Sequence, residues 1–401
     1  MIGATRGARR FRPTIAVTLV YASTAATWAA YALLAVVLPF RFEALGLSVV
    51  QYGVAIAVLA LGMVLTESVW GVFAFRVGNV RTILVLGAAV ALVYASIGVS
   101  DTFVTLTAAL GILGGLFVFQ VPLMRWMALT ALGPGTGGRS TGIYGVFSGA
   151  GLVVGTALGA LVYVNFGFGA LTVVVVAAYV AGLSLTLFLP WDRVDLPRPQ
   201  PGVGRHLRAV FTRPFAFAVS CVVLAYLGKA LVWNFLQYYS VALFGGSPTE
   251  AGYVIGAAQA TSLLAGAVLG IAVDRWGPGR SAPFGFALLT VGAFGTMFSS
   301  SYSEMVGATL LFAAGLGWLS ASLLPLALGD VPLGLQGTAV GVFGSFEDLG
   351  LLVGPLLISG VYATYGVRNI FPVVGAVAVA GALLSFPRHR GGSEPPGPAE
   401  N

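Results

Sequence analysis

The chain has 401 residues, of which 58% are hydrophobic and only 8% charged, against roughly 25% charged in ordinary globular proteins. A water-soluble fold of this length could not cover its surface with so few charges, so the solvent is largely lipid. The net charge of +7 would suit nucleic acid if the basic residues formed one stripe. They sit instead at the ends of apolar runs, which is a pattern of membrane topology. The lone Cys221 excludes an internal disulfide framework, and the two histidines, His206 and His389, lie beside arginines in polar segments. No metal site and no cofactor are expected, and no nucleic-acid partner.

A membrane span needs about 20 apolar residues. Runs between polar or Gly/Pro breaks predict helices over 14–38, 50–73, 82–99, 103–125, 140–163 and 168–189. A second set follows over 214–240, 251–272, 281–299, 303–328, 338–362 and 369–386. The first run lies behind Arg6, Arg9, Arg10 and Arg12. At about 25 residues it exceeds a signal-peptide core of roughly 7–15 and reads as a retained helix. If the N-terminus is inside, every arginine except Arg41 and Arg368 falls on the cytoplasmic side. That bias follows the positive-inside rule, calls for an even number of helices and puts both termini in the cytoplasm.

The predicted organisation is therefore a tail over 1–13, a six-helix bundle over 14–190, a linker over 191–213, a second bundle over 214–387 and a tail over 388–401. The linker carries Pro197, Pro199 and Pro201 among arginines and ends before Pro214, which suits the start of a helix.

Sliding the chain on itself by 199 residues aligns Ser48 with Ser247, Gly53 with Gly252, Gly71 with Gly270, Arg76 with Arg275, Gly78 with Gly277 and Arg81 with Arg280. Over 142–167, eleven of 26 positions are identical to those 199 further on, where composition alone gives about two or three. The halves are a true repeat. Six helices is an even number, so both halves enter from the same side and are related by an axis along the membrane normal. Transporters with such parallel repeats rock two bundles around a midplane site.

The repeated loop reads Gly71-Val-Phe-Ala-Phe75-Arg76-Val-Gly78-Asn-Val-Arg81 in the first half and Gly270-Ile-Ala-Val-Asp274-Arg275-Trp-Gly277-Pro-Gly-Arg280 in the second. The glycines allow close helix approach and a tight reversal, and the arginines hold the turn on one side. On these residues the chain resembles the major facilitator superfamily, whose loop between helices 2 and 3 has the form G-x-x-x-D-R-x-G-R-R. The resemblance implies an all-α membrane fold of twelve helices, and a loop that latches the cytoplasmic gate. Phe75 stands where the family has its acidic residue, so the first copy lacks that half of the latch. Gly151-x-x-x-Gly155-Thr156-x-x-Gly159-Ala160 is similar to an element of proton-driven exporters in the family, with Thr156 in place of a proline. Plain small-residue helix packing also accounts for it.

Ionisable groups at bilayer depth cost about 2.5–3.5 kcal/mol or more and are functional candidates by default. Four stand out: Glu67 in helix 2, Lys229 in helix 7, and Glu347 and Asp348 in helix 11. Lys229 is the one lysine among 20 basic residues, and lysine, unlike arginine, can lose its proton when buried. Tyr226, Lys229, Trp233 and Gln237 share one face of helix 7, and Tyr21, Thr24, Trp28 and Tyr31 form a matching stripe on helix 1. The resemblance implies that helices 1, 4, 7 and 10 line a central cavity, adding Gln120 and Trp318. A purely structural pairing of Lys229 with a carboxylate is the competing reading. Glu67, Glu347 and Asp348 are proton-carrier candidates, with pairing of Glu67 to Arg76, and of Glu347 or Asp348 to the gate arginines, as alternatives. Arg125 reads as a snorkelling helix-end residue.

The expected function is secondary active transport of a small amphipathic, aromatic or anionic solute across the cell membrane by alternating access. Proton coupling, a lean toward export and a functional monomer are expected with it. Alternatives are uptake of an organic anion by symport and a non-transporting membrane sensor of the same fold. An enzyme is not expected, because no nucleophile, base or metal-ligand spacing appears.

Overall fold

The computed structural model describes residues 13–77, 79–120, 123–124, 137–188, 209–332 and 335–385, and all regular structure among them is helical. The first half contains α1a (Pro13–Ala35), α1b (Leu38–Ala44), α2 (Val49–Val77), α3 (Asn79–Gly98) and α4 (Phe103–Phe117). A continuous run, Gly137–Leu185, follows; Gly167 divides it into α5 (137–166) and α6 (168–185). The second half contains α7a (Arg213–Asn234), α7b (Leu236–Phe244), α8 (Pro248–Trp276), α9 (Pro278–Phe298), α10 (Tyr302–Leu328), α11 (Gln336–Tyr365) and α12 (Ile370–Ser385). Ten stretches among the described residues are long and apolar enough to cross a membrane. One of them, 143–188, holds both α5 and α6, and the shorter apolar α4 completes the twelve predicted runs.

The repeat is visible residue by residue. Gly46 and Gly245 turn with φ of 69° and 64°, and Gly167 and Gly366 with φ of 80° and 83°, a region that residues with a Cβ rarely enter. Ser48 and Gln51 cap α2 reciprocally, as Ser247 and Glu250 cap α8. The hydroxyls of Thr102 and Ser301 likewise accept from the backbone N–H three residues on, at the starts of α4 and α10. The breaks are also paired. Helix 1 is interrupted at 36–37 and helix 7 at Phe235, so the unbroken helices predicted over 14–38 and 214–240 are each two pieces. Pro39, which has no N–H to donate, accompanies the first break; the second has no proline.

The outer surface is apolar. Leu92, Val104, Phe298 and Leu383 each expose about 71–72% of their area, and only a hydrocarbon solvent makes such exposure cheap. Polar side chains such as Thr24, Gln237, Ser240 and Gln259 are buried instead.

Within the first half, α5 packs closely on α1a: a Cβ built on Gly151, Gly155 or Gly159 would meet the carbonyl oxygen of Ala25, Ala29 or Leu33. The counterparts Gly350 and Gly354 bring α11 onto Val223, Tyr226, Leu227 and Ala230 of α7a. The glycine element of helix 5 thus packs α5 onto α1a, as its small residues allow.

The halves meet along two seams, α2 against α11 and α5 against α8. Gly53 lies against Pro355 and Ser359, while Gly252 lies against Thr156 and Ala160. Each member of the second set sits 199 positions from its mate, so the two seams are two-fold equivalents. At the end remote from Arg81 and Arg280, an aromatic cluster seals the halves together. Tyr52 meets Phe42, Phe235 and Tyr238 at ring-centre distances of 5.3, 5.5 and 5.7 Å. The Tyr238 hydroxyl donates to the carbonyl of Pro39 at 3.0 Å. Arg41 reaches the same end, where it pairs with Asp101 at 2.5 Å and covers the ring of Phe168 at 4.6 Å. This accounts for one of the two arginines that break the charge bias.

Tyr238→Phe should leave the rings packed and the Pro39 carbonyl without its donor, a loss of about 1 kcal/mol. The expected readout is faster labelling of a cysteine placed at buried Ala55, one turn along α2 from Tyr52, by a water-soluble maleimide in a Cys221→Ser background. Unchanged labelling would show that the rings alone hold this end shut.

Candidate functional site

Lys229 lies in α7a where the two halves approach. Its Nζ is 4.3 Å from the ring centre of Tyr226 and 5.3 Å from that of Trp233. These residues stand one turn on either side of it, so the i−3 and i+4 positions of a single helix build the aromatic cradle. A desolvated ammonium gains about 0.5–2 kcal/mol from such a ring, less than the cost of placing it at bilayer depth. Carboxylates supply more. Glu347 and Asp348 on α11 are both within electrostatic reach of the ammonium.

The two carboxylates have different surroundings, because successive helical residues point about 100° apart. Glu347 Oε1 accepts a hydrogen bond from the Tyr226 hydroxyl at 2.8 Å, facing α7a. Asp348 is within electrostatic reach of Glu67 on α2, of Glu347 and of Lys229, and it also acts on Tyr31 of α1a. Gly344, one turn before Asp348, makes room for Glu67: a Cβ there would lie 3.3 Å from Glu67 Oε1. Helices from both halves thus gather three carboxyl groups, one ammonium and three aromatic side chains.

The other predicted residues fall in several places. Trp28, Tyr31 and Phe117 pack together with ring centres 5.1–5.9 Å apart, and Trp28 Nε1 donates to the Tyr144 hydroxyl at 3.2 Å. Tyr21 stacks on Phe147 at 5.2 Å, and the Thr24 hydroxyl returns to the carbonyl of Val20. Gln237 is fully buried and donates to the carbonyl of Trp233. Gln120 donates to the hydroxyl of Tyr179, which packs on Tyr94, so its amide faces α6 and α3 rather than the Lys229 group. Trp318 stacks at about 6 Å on Trp276 and Phe284, both half-exposed, placing it toward α8 and α9.

Of the gate motif, Gly71 and Arg76 lie in α2, and Gly277 turns with φ of 83° between α8 and α9. A Cβ on Gly270 would meet only Ala321 of α10, at an ordinary 3.9 Å. Arg81, Arg275 and Arg280 are exposed. Gly78, Arg125, His206, His389 and the side chains of Arg76 and Asp274 lie outside the described residues, as do the proposed gate pairings of Arg76.

One residue was overlooked in the sequence. Gln259 is buried in the middle of α8. In the amide orientation that satisfies its neighbours, Nε2 donates to the carbonyl of Leu152 at 3.1 Å. Oε1 then accepts from Trp233 Nε1 at 3.1 Å and from the Thr156 hydroxyl at 3.2 Å. Leu152 and Thr156 belong to α5, so this neutral amide bridges the halves. The signal was available: an isolated glutamine within an apolar span follows the same cost rule as a charge, at a smaller magnitude.

The family model described as Major Facilitator Superfamily matches residues 20–228 and 218–401. The chain is 26% identical to the multidrug resistance protein MdtG of Dickeya zeae over 354 residues, 83% of each protein. It is 24% identical to MdtG of Yersinia enterocolitica over 375 residues, 90% of this chain and 89% of that one. Among solved structures, the fold matches a bacterial homolog of the human lysosomal transporter Spinster in its inward-facing and unoccupied conformation. The TM-score is 0.79 at 13% identity, covering 95% of this chain and 97% of that one.

Proposed function

The chain belongs to the major facilitator superfamily, and we propose that within it the protein is a proton-coupled exporter of a small amphipathic, aromatic or anionic solute. It is a multi-pass membrane protein and a secondary transporter, not an enzyme. The proposed placement is the cell membrane with both termini in the cytoplasm, and the proposed working unit is a monomer.

The observation that carries the reading is the Lys229 group. An ammonium seated on two aromatic rings, at a meeting point of the halves, offers an aromatic anion both a counter-charge and a stacking surface. Three carboxyl groups against one ammonium leave an excess of negative charge in a low dielectric, and bound protons neutralise it. In this reading residues 14–190 rock against 214–387, with a cytoplasmic linker over 191–213 and tails over 1–13 and 388–401. Solute and protons compete for the same charge balance. The names of the MdtG relatives support the lean toward export.

The test uses full-length protein in proteoliposomes with an imposed pH gradient. Combined Glu67→Gln, Glu347→Gln and Asp348→Asn should lower gradient-driven flux about a hundredfold while solute exchange without a gradient persists. Intact gradient-driven flux in the triple variant would reject proton coupling. Uptake driven by an inwardly directed proton gradient would favour symport, and absence of any flux in the wild type would favour a sensor.

A further inference from the structure

The two equivalent seams differ chemically. On the α2–α11 side the halves meet beside Glu67 and Asp348. On the α5–α8 side they meet through the uncharged amide of Gln259, whose counterpart in the first half is Ala60. Gln259, Thr156, Trp233 and Tyr31 together line a small cavity between the halves. That cavity can admit a solute only if α5 and α8 part, and parting breaks the bonds of Gln259 to Leu152 and Thr156. Leaving a buried amide unsatisfied costs about 1–3 kcal/mol, so once α5 withdraws, Gln259 bonds to water until a solute that fills and dries the cavity takes its place. Thr156 loses little in the exchange, because its hydroxyl already donates to the carbonyl of Leu152 at 2.6 Å and shares its one proton with Gln259.

We propose that Gln259 is a solute-contacting residue that exchanges its bonds to α5 for a neutral hydrogen-bonding group of the solute, a carbonyl or carboxamide on an aromatic frame. Trp233 connects this element to the cation. Its indole N–H reaches Gln259, and its ring lies beside Lys229 Nζ. The ammonium and the amide thus flank one indole, 5.3 Å from its ring centre and 3.1 Å from its N–H. The site therefore suits an aromatic solute with an anionic group at one end and a carbonyl at the other. The anionic end rests on the reading of Lys229 given above; the carbonyl end stands without it.

The test measures thermal stabilisation of the full chain in detergent by benzamide, benzoate and 4-carbamoylbenzoate. Gln259→Met keeps the volume and removes the amide. It should weaken benzamide and 4-carbamoylbenzoate about tenfold, the worth of one to two hydrogen bonds, and leave benzoate unchanged. Thr156→Val removes the competing donor and should tighten the same two probes severalfold. This arm carries the test if Gln259→Met fails to fold, and a merely structural bridge would show the opposite sign. The proposal is overturned if benzamide does not stabilise the wild type, if Gln259→Met weakens benzoate as much as benzamide, or if Thr156→Val weakens binding. Lys229→Ala should weaken the two carboxylates and spare benzamide. If it spares all three while the Gln259 results hold, the anion reading fails and the amide site stands.

Discussion

Replacing Lys229 with alanine is expected to lower transport of an aromatic anion by about two orders of magnitude while the protein stays folded. The size follows from charge. Truncating one member of a desolvated charge group costs about 2–5 kcal/mol in binding, and tenfold corresponds to about 1.4 kcal/mol. Folding is less affected, because Glu347 keeps its hydrogen bond from Tyr226, and protons can neutralise the carboxylates left behind. Lys229→Arg should not restore the rate. A guanidinium can stack on the Tyr226 and Trp233 rings, but it cannot give up its proton as a buried ammonium can. The measurement is initial flux into proteoliposomes, alongside the melting temperature and elution profile of each variant. Wild-type flux in Lys229→Ala would reduce the residue to a structural counter-ion.

Gly155→Leu is expected to abolish folding or to cost about 3 kcal/mol or more, near the upper end for overpacking. The reason is contact with backbone, which cannot rotate away: a Cβ at this position lands on the carbonyl oxygen of Ala29. The gain in helix propensity over glycine, about 0.8 kcal/mol, does not offset a separation of α5 from α1a. Gly169→Leu is the control, since a Cβ there meets nothing within 4 Å and the position is exposed. Melting temperature and monodispersity in detergent should separate the two variants clearly. Equal behaviour would mean that α1a and α5 can slide apart without loss.

Much of the architecture was legible because the bilayer imposes its own length scale. The twelve runs could be read as apolar stretches between breaks, and the 199-residue register then reappeared in paired caps, paired left-handed glycines and paired seam contacts. Rotation of each helix about its axis was much less legible. A helix that is apolar all round has no stripe to say which side faces inward, so Gln120 and Trp318 were placed by helix number and face other neighbours. The Lys229 cradle was readable for the contrary reason: Tyr226 and Trp233 come from the same helix, where spacing alone brings them together. Gathering of Glu67 with Asp348 depends on tertiary packing of α2 on α11, which no local pattern encodes. Gln259 carries no formal charge and so does not stand out in its apolar span, although its amide forms the cross-seam bridge.

The bond from Tyr238 to Pro39 joins residues that occupy the same position in the two halves. Equivalent positions can touch only on the rotation axis that relates the halves, so this contact marks that axis. In a homodimer of identical six-helix units the interface would be isologous, and every off-axis group would appear twice. A single ammonium beside one such axis could not exist; each lysine would bring a second. Joining both units in one polypeptide removes that constraint, and the mouth of the pathway shows the same freedom as its centre. A hydroxyl on one side meets a carbonyl on the other, an arrangement that perfect symmetry would double or forbid.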